Sequence, residues 1–385
     1  MKFTLILLSF IFALSCSSIN SVKKSVEDST KKITTKLEKP VRPVNPFYVA
    51  WNKNLDPVYN TGNLPIGTGS PFIYEDHLYI GDLSGNMHAY NLETGVTAWE
   101  FEESEAINTM ATNFKDNIIY GTMSGRMYSR HFLTGELNYA IDLGAPIESE
   151  PVVYNGRLYI HLRNHKVVSL DAQTGKIIWG YKRSVPFTTT LNRASKVLPF
   201  GSKLIVGFAD GNVVALSIAE GVVLWEQKIS EGLKFVDVDA PVVYFNKELV
   251  SGSANGTLKF LNPKNGIINK SVNIKIGHTP LVVGDELIVG SVYGTLYRVD
   301  KHGKIIQKKE LSKNGISSVV KWKNGFAVAT MGQELHYIDP VDLNINATFK
   351  LGYDQSAIFG FLQENTDYLA TYSARNRLYV FKNIK

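Results

Sequence analysis

Hydrophobic and polar positions beyond residue 46 fall into short runs separated by turn residues, with no sustained helical period. Twenty-one-residue segments such as GDLSGNMHAYNLETGVTAWEF from Gly81 and GFADGNVVALSIAEGVVLWEQ from Gly207 align with one another. An apolar residue opens one strand of each unit at Met87, Met127, Val167, Val213, Leu258, Leu296, Leu335 and Leu378, spaced 40, 40, 46, 45, 38, 39 and 43 residues apart. Two positions earlier stand Gly85, Gly125, His165, Gly211, Gly256, Gly294, Gln333 and Asn376. Most are residues that take a positive φ cheaply, as a tight hairpin requires. A second turn follows at Gly95, Gly135, Gly175, Gly221, Gly266 and Gly303. Four residues beyond the first four of these come Trp99, Tyr139, Trp179 and Trp225. A further short strand precedes each unit, as at Glu150-Pro151-Val152-Val153-Tyr154.

Four short strands per roughly 42 residues make a propeller blade. The expected fold is therefore all-β, an eight-bladed propeller of four-stranded blades over residues 47–385. The eighth unit ends after its third strand, whereas residues 47–55 read as a strand with no unit of their own. Trp51 and Leu55 repeat the spacing of Trp225 and Ile229. The N-terminal strand is expected to complete the last blade and close the ring, leaving no open blade. The recurring tryptophans are expected to pack between neighbouring blades.

The first residues differ in kind. Lys2, an apolar run from Phe3 to Leu14 and the small residues Ser15, Cys16, Ser17 and Ser18 describe a secretory signal too short to span a bilayer. Residues 1–15 are thus expected to form a signal peptide. Cys16, the single cysteine, excludes an intramolecular disulfide and a multi-cysteine metal site. Its position at the signal's exit resembles the lipobox of bacterial lipoproteins, although Ala13-Leu14-Ser15 departs from the usual order. That resemblance implies an acylated Cys16 after cleavage, and Ser17 implies transfer to the outer membrane. Residues 17–46 lack aromatics, are rich in Ser, Thr and Lys and exit through Pro40, Pro43 and Pro46. Such a composition does not bury enough apolar surface to fold alone. Residues 16–46 are expected to be a lipidated tether, spanning roughly 30 Å as a coil.

Charge follows this division. The chain carries net +6, of which the tether holds +4 and Lys2 one more; residues 47–385 hold 33 basic and 32 acidic side chains. A near-neutral body gives no support to nucleic-acid binding.

Catalytic chemistry is weakly represented. The eight histidines show no compact metal-ligand spacing, and there is neither a nucleophile elbow nor a phosphate-binding loop. The two longest spacings instead mark enlarged connections into the fourth and fifth units, and departures from a repeat are where function concentrates. One contains Leu191-Asn192-Arg193-Ala194-Ser195, the other Val236-Asp237-Val238-Asp239-Ala240-Pro241. Both leave an outer strand for an inner one, so they emerge side by side on one face. Asp237 and Asp239 alternate with valines and point the same way if extended.

The unit Asp171-Ala172-Gln173-Thr174-Gly175-Lys176-Ile177-Ile178-Trp179 resembles the repeat of quinoprotein-like propellers. Together with the two loop segments and the lipoprotein start, the chain resembles the BamB family, lipoproteins of the machinery that folds outer-membrane β-barrel proteins. The resemblance implies a non-catalytic scaffold without a cofactor, held at the outer membrane by a lipid anchor and facing the periplasm. It also implies binding to the POTRA domains of BamA, and membership of a complex with the other Bam subunits, through Leu191, Arg193, Asp237 and Asp239. No small-molecule substrate is expected. In the alternative, the aspartates cap turns and Arg193 pairs with Asp237. A quinone-dependent or sugar-binding propeller enzyme, and a scaffold of another envelope complex, also remain open.

Overall fold

A computed structural model describes residues 45–56, 66–103, 105–185, 194–232, 236–352 and 356–384. Pro46–Lys385 form one compact unit. The described residues contain strands and turns and no helix, arranged as eight four-stranded antiparallel sheets, the expected eight-bladed propeller. The first blade runs Phe72–Tyr74, His77–Gly81, Asn86–Asn91 and Thr97–Glu102. The last runs Gln363–Glu364, Tyr368–Tyr372 and Arg377–Lys382 and takes Tyr48–Asn54 as its outer strand.

Burial explains the hydrophobic pattern. The second and third strands of a blade, such as Arg157–His161 and Lys166–Asp171, are buried along nearly their whole length. Neighbouring blades cover both of their faces, so they read as continuous apolar runs. The outer strand Ile177–Lys182 is mostly exposed, with Trp179 as its buried residue.

Hairpin turns follow the expected chemistry at six of the eight positions. Gly85, Gly125, His165, Gly211, Gly294 and Asn376 all have positive φ, whereas Gly256 and Gln333 do not. The turn at Gly256 is held by its own N–H donating to Ser253 Oγ at 2.7 Å.

Neighbouring blades are joined by the repeated aromatic residue. Trp99 donates its indole N–H to the Phe132 carbonyl (2.9 Å), Trp179 to that of Ile218 (3.2 Å) and Trp225 to that of Pro263 (3.3 Å). The Tyr139 hydroxyl reaches the Ala172 carbonyl in the same way. Each ring lies over the second-turn glycine of the next blade. At Gly221, φ is +74° and an added Cβ would sit 2.5 Å from the Trp179 ring, so only glycine fits. Apolar clusters fill the spaces between blades: Tyr79, Met87 and Trp99 of the first blade pack with Ile107, Ile118 and Tyr120 of the second.

Ring closure is as the spacing implied. Tyr48–Asn54 pairs antiparallel with Arg377–Lys382, placing Trp51 opposite Val380 as Trp225 stands opposite Ala215. Leu55 donates its N–H to the Asn376 carbonyl, just as Ile229 donates to that of Gly211. The entry point is secured separately. Phe47 is buried among Tyr337, Phe349 and Phe381, and Trp322 donates to the Pro46 carbonyl at 2.9 Å.

Candidate functional site

The first strands of neighbouring blades touch around the centre of the ring, as Thr112–Phe114 does Val152–Tyr154 and Ile316–Trp322 does Gln363–Glu364. The described parts of the connections from an outer strand to the next inner strand therefore run along one face toward the axis. A repeated backbone hook sets its path. Ile107, Ile147, Val238, Ile276 and Ile316 donate their N–H groups to the carbonyls of Asp82, Thr122, Phe208, Ser253 and Ser291, respectively, each at the hairpin turn of the preceding blade. The side chains of these hooks are buried. The residue following each hook, namely Asn108, Glu148, Asp239, Gly277 and Ser317, is thereby placed on the wall of an axial cavity of about 290 Å³.

Charged groups concentrate at that wall. Its Glu150 Oε1 lies 2.6 Å from the Nζ of Lys196, which lines an adjoining cavity. Burial pushes the Glu150 carboxyl upward, and Lys196 opposes that shift. Arg163 and Glu148 pair more loosely at 3.4 Å. A second cavity of about 340 Å³ shares Met110, Glu150, Pro241 and Phe361 with the first; Leu198, Val243 and Leu281 add to its apolar wall.

The structure treats the sequence candidates unequally. Cys16, Leu191 and Arg193 lie outside the described residues. Ala194, at the end of the first loop segment, lines the same cavity as Asp239 of the second, so the two segments meet there. Asp239 is half-buried on the wall, whereas Asp237 is buried at 2 % exposure. Val236 and Val238, which flank Asp237, are buried as well. The in–out alternation of a surface strand does not apply because the segment runs inward beneath its neighbours: Val238 packs on Gly207, where an added Cβ would meet the Val238 carbonyl at 2.4 Å.

Ser195, also from the first segment, is structural. Its Oγ donates to the Gly207 carbonyl and accepts the Gly207 N–H, and its carbonyl lies 3.3 Å from His161 Nδ1. Burial, aided by His165, pushes the His161 imidazole down to about 3; burial takes His278 to about 4. Just before the first segment, Arg183 donates to Asp210 (2.7 Å) and Glu226 (2.9 Å), tying the third blade to the fourth.

Sequence reasoning overlooked Glu148, Glu150, Arg163 and Lys196. The signal was present in the repeat: Glu148 stands one residue after the hook Ile147, as Asp239 does after Val238. Among the described residues, no group of three or more His, Cys, Asp or Glu side chains is arranged to hold a metal ion.

Comparison with known proteins agrees with this architecture. The outer membrane protein assembly factor BamB of Yersinia pestis is 22 % identical over 294 residues, covering 69 % of this chain and 72 % of that protein. The quinoprotein alcohol dehydrogenase PedH of Pseudomonas putida is 27 % identical over 212 residues, covering 50 % of this chain and 31 % of that enzyme. The crystal structure of BamB from Moraxella catarrhalis superposes with a TM-score of 0.75 at 17 % identity, covering 88 % of this chain and all of that one. The family model described as outer membrane protein assembly factor BamB matches residues 108–310, more than half of the chain and the blades that carry both loop segments, and the protein belongs to that family.

Proposed function

We propose that the protein is a non-catalytic scaffold of the outer-membrane β-barrel assembly machinery, binding the POTRA domains of BamA through the face on which the two loop segments converge. The observation that carries this reading is the meeting of Ala194 and Asp239 on one cavity wall. Leu191 supplies an apolar anchor, and Arg193 and Asp239 set orientation through charge-assisted hydrogen bonds. Asp237, buried beneath, holds the second segment in place. Acylation of Cys16 and the tether of residues 16–46 keep the ring at the outer membrane on its periplasmic side, raising the local concentration of the scaffold around a mobile partner.

A pull-down of BamA with the tagged protein tests this, with wild type beside Arg193→Glu, Asp237→Ala and Asp239→Ala. Wild type is expected to recover BamA and the charge-reversed variant to lose it. Failure of wild type to recover BamA overturns the function. Normal recovery by all three variants overturns the site alone.

Similarity to the PedH dehydrogenase favours a second reading, an enzyme working at the axis. Quinone-dependent dye reduction after addition of the cofactor and calcium is the measurement that supports it.

A further inference from the structure

We infer that the two axial cavities together bind a neutral amphiphile, a hydroxylated head group on a single aliphatic chain. The head sits among Asn108, Arg163 and Ser317, and the chain lies against Leu198, Val243 and Leu281. The cavities adjoin, since Met110, Glu150, Pro241 and Phe361 line both. Their walls come from the same inner segments taken in order. Ser317 lines the first cavity, and Val319 and Val320, next along the strand, line the second; in the same way Gly277 is followed by Pro280 and Leu281. The polar end therefore lies at the loop face and the apolar end deeper along the axis.

At the deep end, Leu198, Val243, Leu281 and Val320 are only half-buried, although they line a cavity inside the ring. Water against such a wall finds few hydrogen-bond partners, so hydrocarbon replaces it favourably. From Ser317 to Val320 the strand advances roughly 10 Å at about 3.3 Å per residue, which suits a chain of about eight carbons.

At the head end, Ser317 is 6 % exposed and its Oγ has no hydrogen-bond partner within the protein; the Asn108 Oδ1 is likewise unpartnered. A buried hydroxyl and amide oxygen are costly in that condition unless a ligand or water satisfies them. Glu148 and Arg163 pair beside them at 3.4 Å, and Glu150 at the junction pairs with Lys196 of the second cavity at 2.6 Å. Asp239, on the same wall, has an interaction of its own. These pairs offer donors and acceptors side by side and call for no counter-charge. A hydroxyl both donates and accepts, so a head carrying several of them meets Asn108, Ser317, Glu148 and Arg163 at once. Phe359 and Phe361, half-buried on this wall, supply apolar surface for the ring carbons of such a head. The site stands independently of the scaffold reading: a failed BamA pull-down leaves it unchanged.

Titration calorimetry of the intact protein with n-octyl-β-D-glucoside, kept below its micelle concentration, tests the site. Methyl-β-D-glucoside lacks the chain and n-octanoate replaces the head by an anion; each is expected to bind at least about tenfold more weakly. Ser317→Ala is expected to weaken octyl glucoside about threefold while leaving 1-octanol unchanged, because only the head contact is lost. Val243→Ser is expected to weaken both by about the same factor, because the chain contact is lost. Removing a hydroxyl that the protein itself leaves unpartnered should not lower the melting temperature, so the Ser317→Ala arm remains decisive even if Val243→Ser folds poorly. No binding of octyl glucoside, or binding of methyl glucoside or octanoate as tight as that of octyl glucoside, overturns the proposal. Equal affinity for octyl glucoside in wild type and Ser317→Ala marks an adventitious surface association and overturns it too.

Discussion

Trp51 donates its indole N–H to the carbonyl of Leu92 at 2.8 Å and lies over Gly95, where an added Cβ would meet the ring at 2.7 Å. This is the same joint that Trp179 makes with Ile218 and Gly221, but here it connects the last blade to the first and so closes the ring. Trp51→Ala is expected to cost about 3 kcal/mol, at the low end for a large aromatic because Trp51 is half-buried. Urea unfolding should show the loss as a lowered midpoint, and limited proteolysis should release the N-terminal strand before any other part of the ring.

The joints between internal blades invite a paired comparison. Gly221→Ala combines a positive φ with a Cβ pressed to 2.5 Å from the Trp179 ring; Gly201→Ala has φ +59° and open space around the Cβ. The second substitution is expected to cost about 1 kcal/mol from backbone strain alone. The first should cost about 3 kcal/mol, because the indole must move as well. Equal thermal shifts in the two variants would remove the steric argument.

Arg130 is buried between the first and second blades. Its Nε donates to Glu103 Oε1 (2.8 Å), its Nη1 to the Gly135 carbonyl (2.8 Å), and its guanidinium lies 4.1 Å from the centre of the Phe101 ring. The Tyr120 hydroxyl donates to the same Glu103 oxygen at 2.6 Å. Glu103→Gln strands the cation and is expected to destabilise by about 3–5 kcal/mol. Adding Arg130→Met removes the stranded cation and should restore part of that loss. Chemical denaturation of the single and double variants measures both effects.

Acid should weaken the fold through its buried histidines. His161 and His278 are held neutral, down to about 3 and about 4, by burial. In the unfolded chain, imidazoles take up a proton near pH 6.5. Between about 6.5 and 4 the unfolded state binds more protons, so stability is full above that window and falls as pH drops through it, by roughly 1.4 kcal/mol per pH unit for each imidazole. Melting temperatures from pH 7.5 to 4.5 should fall less steeply in a His161→Leu, His278→Leu variant than in wild type. Parallel slopes would assign the acid sensitivity to other groups.

Much of the architecture was legible because a propeller repeats. The turn at Gly85, the buried strand opening at Met87 and the joint at Trp99 recur at nearly constant spacing, and each is a local requirement of hairpin geometry or of packing between blades. Even the orphan strand at Trp51 was assignable, since its spacing to Leu55 matched that of Trp225 to Ile229. The turn at Gly256 was not, because a side-chain hydrogen bond from Gly256 N–H to Ser253 Oγ replaced the positive φ.

The site was less legible. Asp237 and Asp239 stand two residues apart in an apparently uniform alternation, yet one is buried and the other lines the cavity. Glu148 and Glu150 carry no motif at all. The linear pattern determined that this chain forms short strands in an eight-fold repeat with a closing N-terminal strand, because turn conformation and strand burial depend on neighbours close in sequence. Which side chains share the axial cavity was decided only by the ring. Glu150 meets Lys196 across 46 residues, and Asp239 joins Ser317 from another blade, because closing eight blades about one axis brings the starts of their inner strands together.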